Sequence, residues 1–123
     1  MLPDVHVQCY QNLMQALKQL TEMANTPNPD QATVRASTLE MQQIFQAQIL
    51  SLGMEELDPG MVSLVQSFQT ELHKQIRLLV NDVMFLGSAR QAQTLERRWI
   101  AVRDRLKSCI GYCEAILSIP APN

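Results

Sequence analysis

An all-α fold, an antiparallel four-helix bundle, is what this sequence predicts, and three observations predict it. The first is one apolar stripe: Met61, Val65, Phe68, Leu72, Ile76, Leu79, Val83 and Leu86. Its successive steps of 4, 3, 4, 4, 3, 4 and 3 residues keep every member on one side of a helix with 3.6 residues per turn. A stripe of that length cannot stay in water and must lie against other helices. The second observation is punctuation: glycine and proline gather at a few places and leave four long uninterrupted stretches. The third is composition. At 46% hydrophobic and 18% charged residues, the 123-residue chain reads as one ordinary globular domain, 1–123, whose core needs no metal or disulfide staple.

The first helix is expected over about 4–24, with Asp4 as its N-cap and Cys9, Leu13, Ala16, Leu17, Leu20 and Met23 on its apolar side. Asn25-Thr26-Pro27-Asn28-Pro29 ends it, because two prolines cannot continue the hydrogen-bond ladder. A second helix is expected over about 30–52, carrying Val34, Met41, Phe45, Ile49 and Leu52 on one face, widened by Leu39, Ile44 and Leu50. Gly53 suits the left-handed residue that closes many helices. After the acidic link Glu55-Glu56-Leu57-Asp58, Asp58 and Pro59 read as N-cap and first helical residue of the third helix, about 59–87. Ser88 and Gln91 suggest a capping box for the fourth, about 90–118, with a start anywhere from Ala89 to Thr94. Its stripe runs through Leu95, Trp99, Val102, Leu106, Cys109, Cys113 and Ile116, and Pro120 stops it. Short links between such helices favour up-down-up-down topology. The other arrangement is a long hairpin of the third and fourth helices with the first two packed on one side. Either leaves room for a homodimer through a leftover apolar face.

Charge and hydropathy narrow the functional classes. A net charge of −2 argues against nucleic-acid binding by the whole surface. No run approaches the roughly 18 apolar residues of a membrane span. The N-terminal residues lack the basic and apolar regions of a signal peptide, so a cytoplasmic setting with reduced cysteines is the expectation.

Four groupings could carry chemistry. In an antiparallel bundle, His6 and Cys9 approach Cys109 and Cys113, and each pair shares a helical face. A Cys3His zinc site is the functional reading. Core packing of small apolar thiols is the stronger one, so no metal or cofactor is expected. His73 beside Glu71 lacks any accompanying nucleophile or second catalytic carboxylate, and Glu71 with Lys74 suits an i,i+3 pair on a solvated face. No enzyme is therefore expected. Val80, Met84 and Phe85 form an apolar rim around Asn81-Asp82, as a partner-binding patch would. Finally, Arg90, Arg97, Arg98, Arg103, Arg105 and Lys107 stand against only Glu96 and Asp104. Such a run is most often a solvated face; if functional, it suits an acidic protein better than nucleic acid.

The third and fourth helices also carry a resemblance. The block from Gln69-Thr70-Glu71-Leu72-His73-Lys74-Gln75-Ile76-Arg77-Leu78-Leu79 on to Asn81-Asp82-Val83-Met84-Phe85-Leu86 resembles the central helix of the small cyanobacterial PatD family. Leu57-Asp58-Pro59, Ala89-Arg90-Gln91, Arg103-Asp104-Arg105-Leu106 and Ile110-Gly111-Tyr112-Cys113 extend it over about the last two thirds of the chain. These are heterocyst-frequency control proteins. The resemblance implies a non-enzymatic cytoplasmic regulator that binds the tubulin-like division protein FtsZ or another division or developmental protein. It transfers no binding residues. The expected partner surface is therefore the physical one: Val80, Met84, Phe85 and the arginines at 90, 97, 98, 103 and 105. Reversing Arg98 and Arg105 to Glu is expected to weaken binding with little effect on the melt.

Overall fold

The computed structural model describes residues 2–120; Met1 and residues 121–123, the ends of the expected 1–123 domain, lie outside it. Within that range the chain is all-helical. Helix α1 runs Asp4–Ala24, α2 Gln31–Ile44, α3 Pro59–Phe85 and α4 Ala92–Leu117. A π-helical turn, Phe45–Ile49, extends α2, and a 3-10 turn, Leu86–Ser88, follows α3.

Cross-links between side chains give the topology. Asn12 donates to Gln48 at 3.0 Å, so the start of α1 lies beside the end of α2. Phe68 meets Tyr112, and Arg105 meets Gln75 and Asp82, so α3 and α4 are antiparallel. Arg103, in the first half of α4, reaches Ala24 at the end of α1. Each helix packs on two neighbours in a ring, α3 against α4 most extensively, which is the up-down-up-down bundle. The near end holds the start of α1 and the finish of α4; the far end holds the α1–α2 and α3–α4 links.

Seven of the eight stripe residues of α3 and the 3-10 turn after it are buried. Phe68 is half-buried, its ring 6.4 Å from that of Tyr112. The α4 stripe is buried from Trp99 through Val102, Leu106, Cys109, Cys113 and Ile116. On α1 the core line is His6, Tyr10, Leu13, Leu17, Leu20 and Ala24; Leu13, Leu17 and Leu20 of the expected face are in it, while Cys9, Ala16 and Met23 are half-buried at its edge. On α2 the line passes through Thr38, whose hydroxyl donates 2.7 Å back to Val34 O and so enters the core without an orphaned proton.

Several helix ends differ from expectation. Pro3, not Asp4, flanks α1, and its carbonyl accepts from Val7 N at 3.0 Å; Asp4 sits in the first turn, where its charge complements the positive end of the helix dipole. Asp30 precedes α2, and the Thr33 hydroxyl donates to its carboxylate, lowering its pKa. The second helix does not run as an α-helix to 52: the ladder widens, with Leu50 N donating 3.0 Å to Phe45 O, five residues back. Gly53 has no left-handed φ, because this π turn already closes the helix. Asn28 does, at φ 47°, between two prolines whose rings restrict the link. Asp58 and Pro59 open α3 as expected. Ser88 and Gln91 form no capping box: Gln91 flanks α4 directly, and Ser88 Oγ donates 2.9 Å back to Phe85 O.

Candidate functional site

The basic run on α4 divides into two kinds of arginine. Helices α1 and α3 both end at the far end, and neither carries a basic residue in its last turn. Their last carbonyls lie at the negative pole of a helix dipole, where Asn25 and Thr26 on α1 and Ser88 on α3 donate neutral hydrogen bonds but no cation of the same helix stands. Antiparallel α4 begins beside both, and it supplies the missing cations. Arg98 Nη1 donates 2.9 Å to Phe85 O, the last residue of α3, and Arg103 Nη1 donates 3.3 Å to Ala24 O, the last residue of α1. Arg103 also stands 3.7 Å from exposed Glu96. Further along, Arg105 pairs with Asp82 at 3.1 Å and donates to Gln75 at 3.1 Å, tying α4 to α3.

Three of the five arginines assigned to a partner surface thus hold this protein's own helices. Arg98 to Glu would lose the Phe85 carbonyl, and Arg105 to Glu would set two carboxylates together at position 82. The melt is therefore expected to fall, contrary to the sequence expectation. Arg90 and Arg97, with Lys107, remain exposed and make no ion pair among the described residues.

The apolar rim survives in part. Phe85 is 56% exposed and Met84 42%, whereas Val80 is half-buried. The Arg98 guanidinium lies 5.6 Å from the Phe85 ring centroid, within cation–π range, so one side chain both closes α3 and orders the ring. Arg35, from α2, approaches the same end; a Cβ on Gly87 would stand 3.4 Å from its Nη2. Sequence spacing cannot bring residue 35 to residue 87, so this cation was missed.

An open groove of about 470 Å³ continues the surface towards mid-helix. It is lined by Gln42 of α2 and by Lys74, Arg77, Leu78, Val80 and Asn81 of α3. The expected Glu71–Lys74 pair is not formed, and neither groove cation has a carboxylate partner among the described residues. His73 instead lies 5.2 Å from the Phe45 ring.

The near end is built differently. His6 is buried with Nδ1 unpartnered among the described residues. Tyr10 is fully buried, and its hydroxyl accepts from Gln69 Nε2 at 3.1 Å. The same amide reaches Ile49 O at 3.4 Å, beside the π turn. Burial pushes the Tyr10 phenol up to about 12, against a smaller lowering by Gln69. Burial likewise raises the Cys109 and Cys113 thiols to about 12, which keeps both protonated and poor as nucleophiles or metal ligands. All three cysteines are free thiols. Among the described residues no three His, Cys, Asp or Glu side chains are placed to hold a metal, so His6, Cys9, Cys109 and Cys113 are not brought together as a ligand set. Apart from His6 Nδ1, the residues at this end fill space and satisfy polar atoms; those at the far end face outward.

No described helix is long and apolar enough to cross a membrane. Comparison with protein-family models, with curated proteins and with solved structures finds no match to this chain.

Proposed function

We propose that this chain is a non-enzymatic regulatory interaction protein that works in the cytoplasm by binding FtsZ or another division or developmental protein and altering its assembly. The observation that carries the reading is Phe85: a large ring more than half exposed, at the end of a packed helix, held under the Arg98 guanidinium. A preordered aromatic beside cations is the composition of an interface anchor, because little side-chain freedom remains to be lost on binding. Exposed Arg90 and Arg97 extend the positive surface, which suits an acidic partner by electrostatic complementarity. The resemblance of the α3 and α4 segments to the heterocyst-frequency control family supplies the choice of FtsZ, itself an acidic protein.

The test is a titration of purified cyanobacterial FtsZ with wild-type protein and with Phe85→Ser and Arg97→Glu variants, read by light scattering of the assembling polymer. Wild type should shift assembly, and both variants should shift it less. Equal effects of all three proteins, or none from any, would remove this reading.

A further inference from the structure

The α2–α3 groove carries an inference that rests on the proposed interaction role but concerns a different surface. We propose that it receives a short acidic segment of a protein partner, one in which carboxylates flank an apolar side chain.

The outer face of α3 changes character along its length. Its first half presents Ser63, Gln66, Ser67 and Thr70, all exposed and neutral. Its second half presents Lys74 and Arg77 over half-buried Leu78 and Val80, with exposed Met84 one turn beyond. No carboxylate lines the groove. The three-residue step from Lys74 to Arg77 puts them about 4.5 Å apart along the axis. Alternate residues of an extended chain repeat at about 6.6 Å, within reach of two long flexible cations. A strand-like segment could therefore place two carboxylates on the pair while an apolar neighbour covers Leu78 and Val80. The groove volume, about 470 Å³, suits a few side chains rather than a folded domain. Charge complementarity selects acid: a basic or phosphate-free neutral segment would leave both cations uncompensated at the edge of an apolar floor.

The test uses the whole chain and a fluorescein-labelled peptide in which paired Asp and Glu residues flank single Leu residues, with its lysine counterpart as control. Fluorescence anisotropy should show saturable, salt-sensitive binding of the acidic peptide alone. Amide shifts in nitrogen-15 spectra should centre on Gln42, Lys74, Arg77 and Asn81. Lys74→Glu with Arg77→Glu should weaken binding about tenfold, and Lys74→Gln with Arg77→Gln less. Both sites are exposed, and a circular-dichroism melt checks that the variants fold. Reversal of Arg90 and Arg97 on α4 should leave peptide affinity unchanged.

Four results would overturn the proposal: no saturable binding, shifts centred elsewhere, equal affinity of the double reversal, or a change in sedimentation showing that a second copy fills the groove. If FtsZ assembly is untouched while the peptide still binds here, the FtsZ reading falls and the groove stands. If FtsZ responds equally to wild type and the double reversal, and the reversal also leaves peptide affinity unchanged, the groove falls and the FtsZ reading stands.

Discussion

The two ends of the bundle face the same difficulty and meet it with different chemistry. Every helix end leaves backbone groups without an intrahelical partner. At the near end an uncharged amide serves: Gln69 spans from the Tyr10 hydroxyl to the Ile49 carbonyl, so the junction can be buried. At the far end Ser88, Asn25 and Thr26 are joined by guanidinium groups, Arg98 on Phe85 O and Arg103 on Ala24 O, and a cation must keep part of itself in water. The near end is consequently sealed, while the far end keeps an ordered, partly apolar, positively charged surface open. The lesson concerns the basic run on α4. Part of it is structural because of what lies beside it, and only the remainder is available to a partner.

The sharpest way to break the comparison is alkali, which acts on the near end. Cys109 and Cys113 rise from an ordinary 9.0 to about 12 by burial, and Tyr10 from 10.0 to about 12. A folded pKa above the unfolded one means that the unfolded state releases its proton first. The stabilisation is whole below pH 9 and is lost as pH climbs through 9 towards 12, with Tyr10 joining above 10. Unfolding free energy from urea titrations should fall steadily across this range, by on the order of 1 kcal/mol per pH unit for each thiol. Cys113→Ala should flatten that slope by one thiol's share. An unchanged slope would mean the near end is not sealed.

Next in size is Gln69→Leu, which leaves the buried Tyr10 hydroxyl without its donor and should cost about 1–3 kcal/mol. Adding Tyr10→Phe should recover part of the loss, since removing both partners leaves nothing unsatisfied. Additive losses in that double-mutant cycle would show that the amide and phenol do not act together.

What the sequence made legible follows from this difference. The α3 and α4 stripes were read almost residue for residue, because their core positions are apolar and the period alone identifies them. On α1 the pattern finds Leu13, Leu17 and Leu20 but tilts towards Cys9, Ala16 and Met23, because two core positions, His6 and Tyr10, are polar types that an apolar-only pattern passes over. Thr38 was missed for the same reason, although steps of 4, 3 and 4 through Val34, Thr38, Met41 and Phe45 contain it. The π turn has no residue signature, since it is set by packing and not by local propensity. Of the expected partner surface, the exposure of Met84 and Phe85 was legible. The roles of Arg98, Arg103 and Arg105 were not, because they depend on which carbonyls and carboxylates antiparallel neighbours bring alongside.

A smaller effect separates the two uses of arginine. Arg103→Met keeps the aliphatic stem but removes the cation from the Ala24 carbonyl, and should cost about 1 kcal/mol at low salt. Arg97→Met, which touches no carbonyl or carboxylate, should cost nothing measurable. Equal melting temperatures for the two variants would put Arg103 back among the solvated charges.

The smallest expected effect on stability is the most telling for function. Phe85→Ser removes a ring that is 56% exposed, so little apolar area returns to water and the change should stay within about 0.5 kcal/mol. Arg98 would lose its ring contact, yet its hydrogen bond goes to the backbone of residue 85 and does not depend on the side chain there. The α3 end should therefore stay closed and the melt unchanged. A far end whose ring mattered mainly to packing would instead show a melt lowered in step with any loss of binding. Preserved stability with weakened partner binding would place the role of Phe85 outside the fold, whereas parallel losses would return it to the core's support.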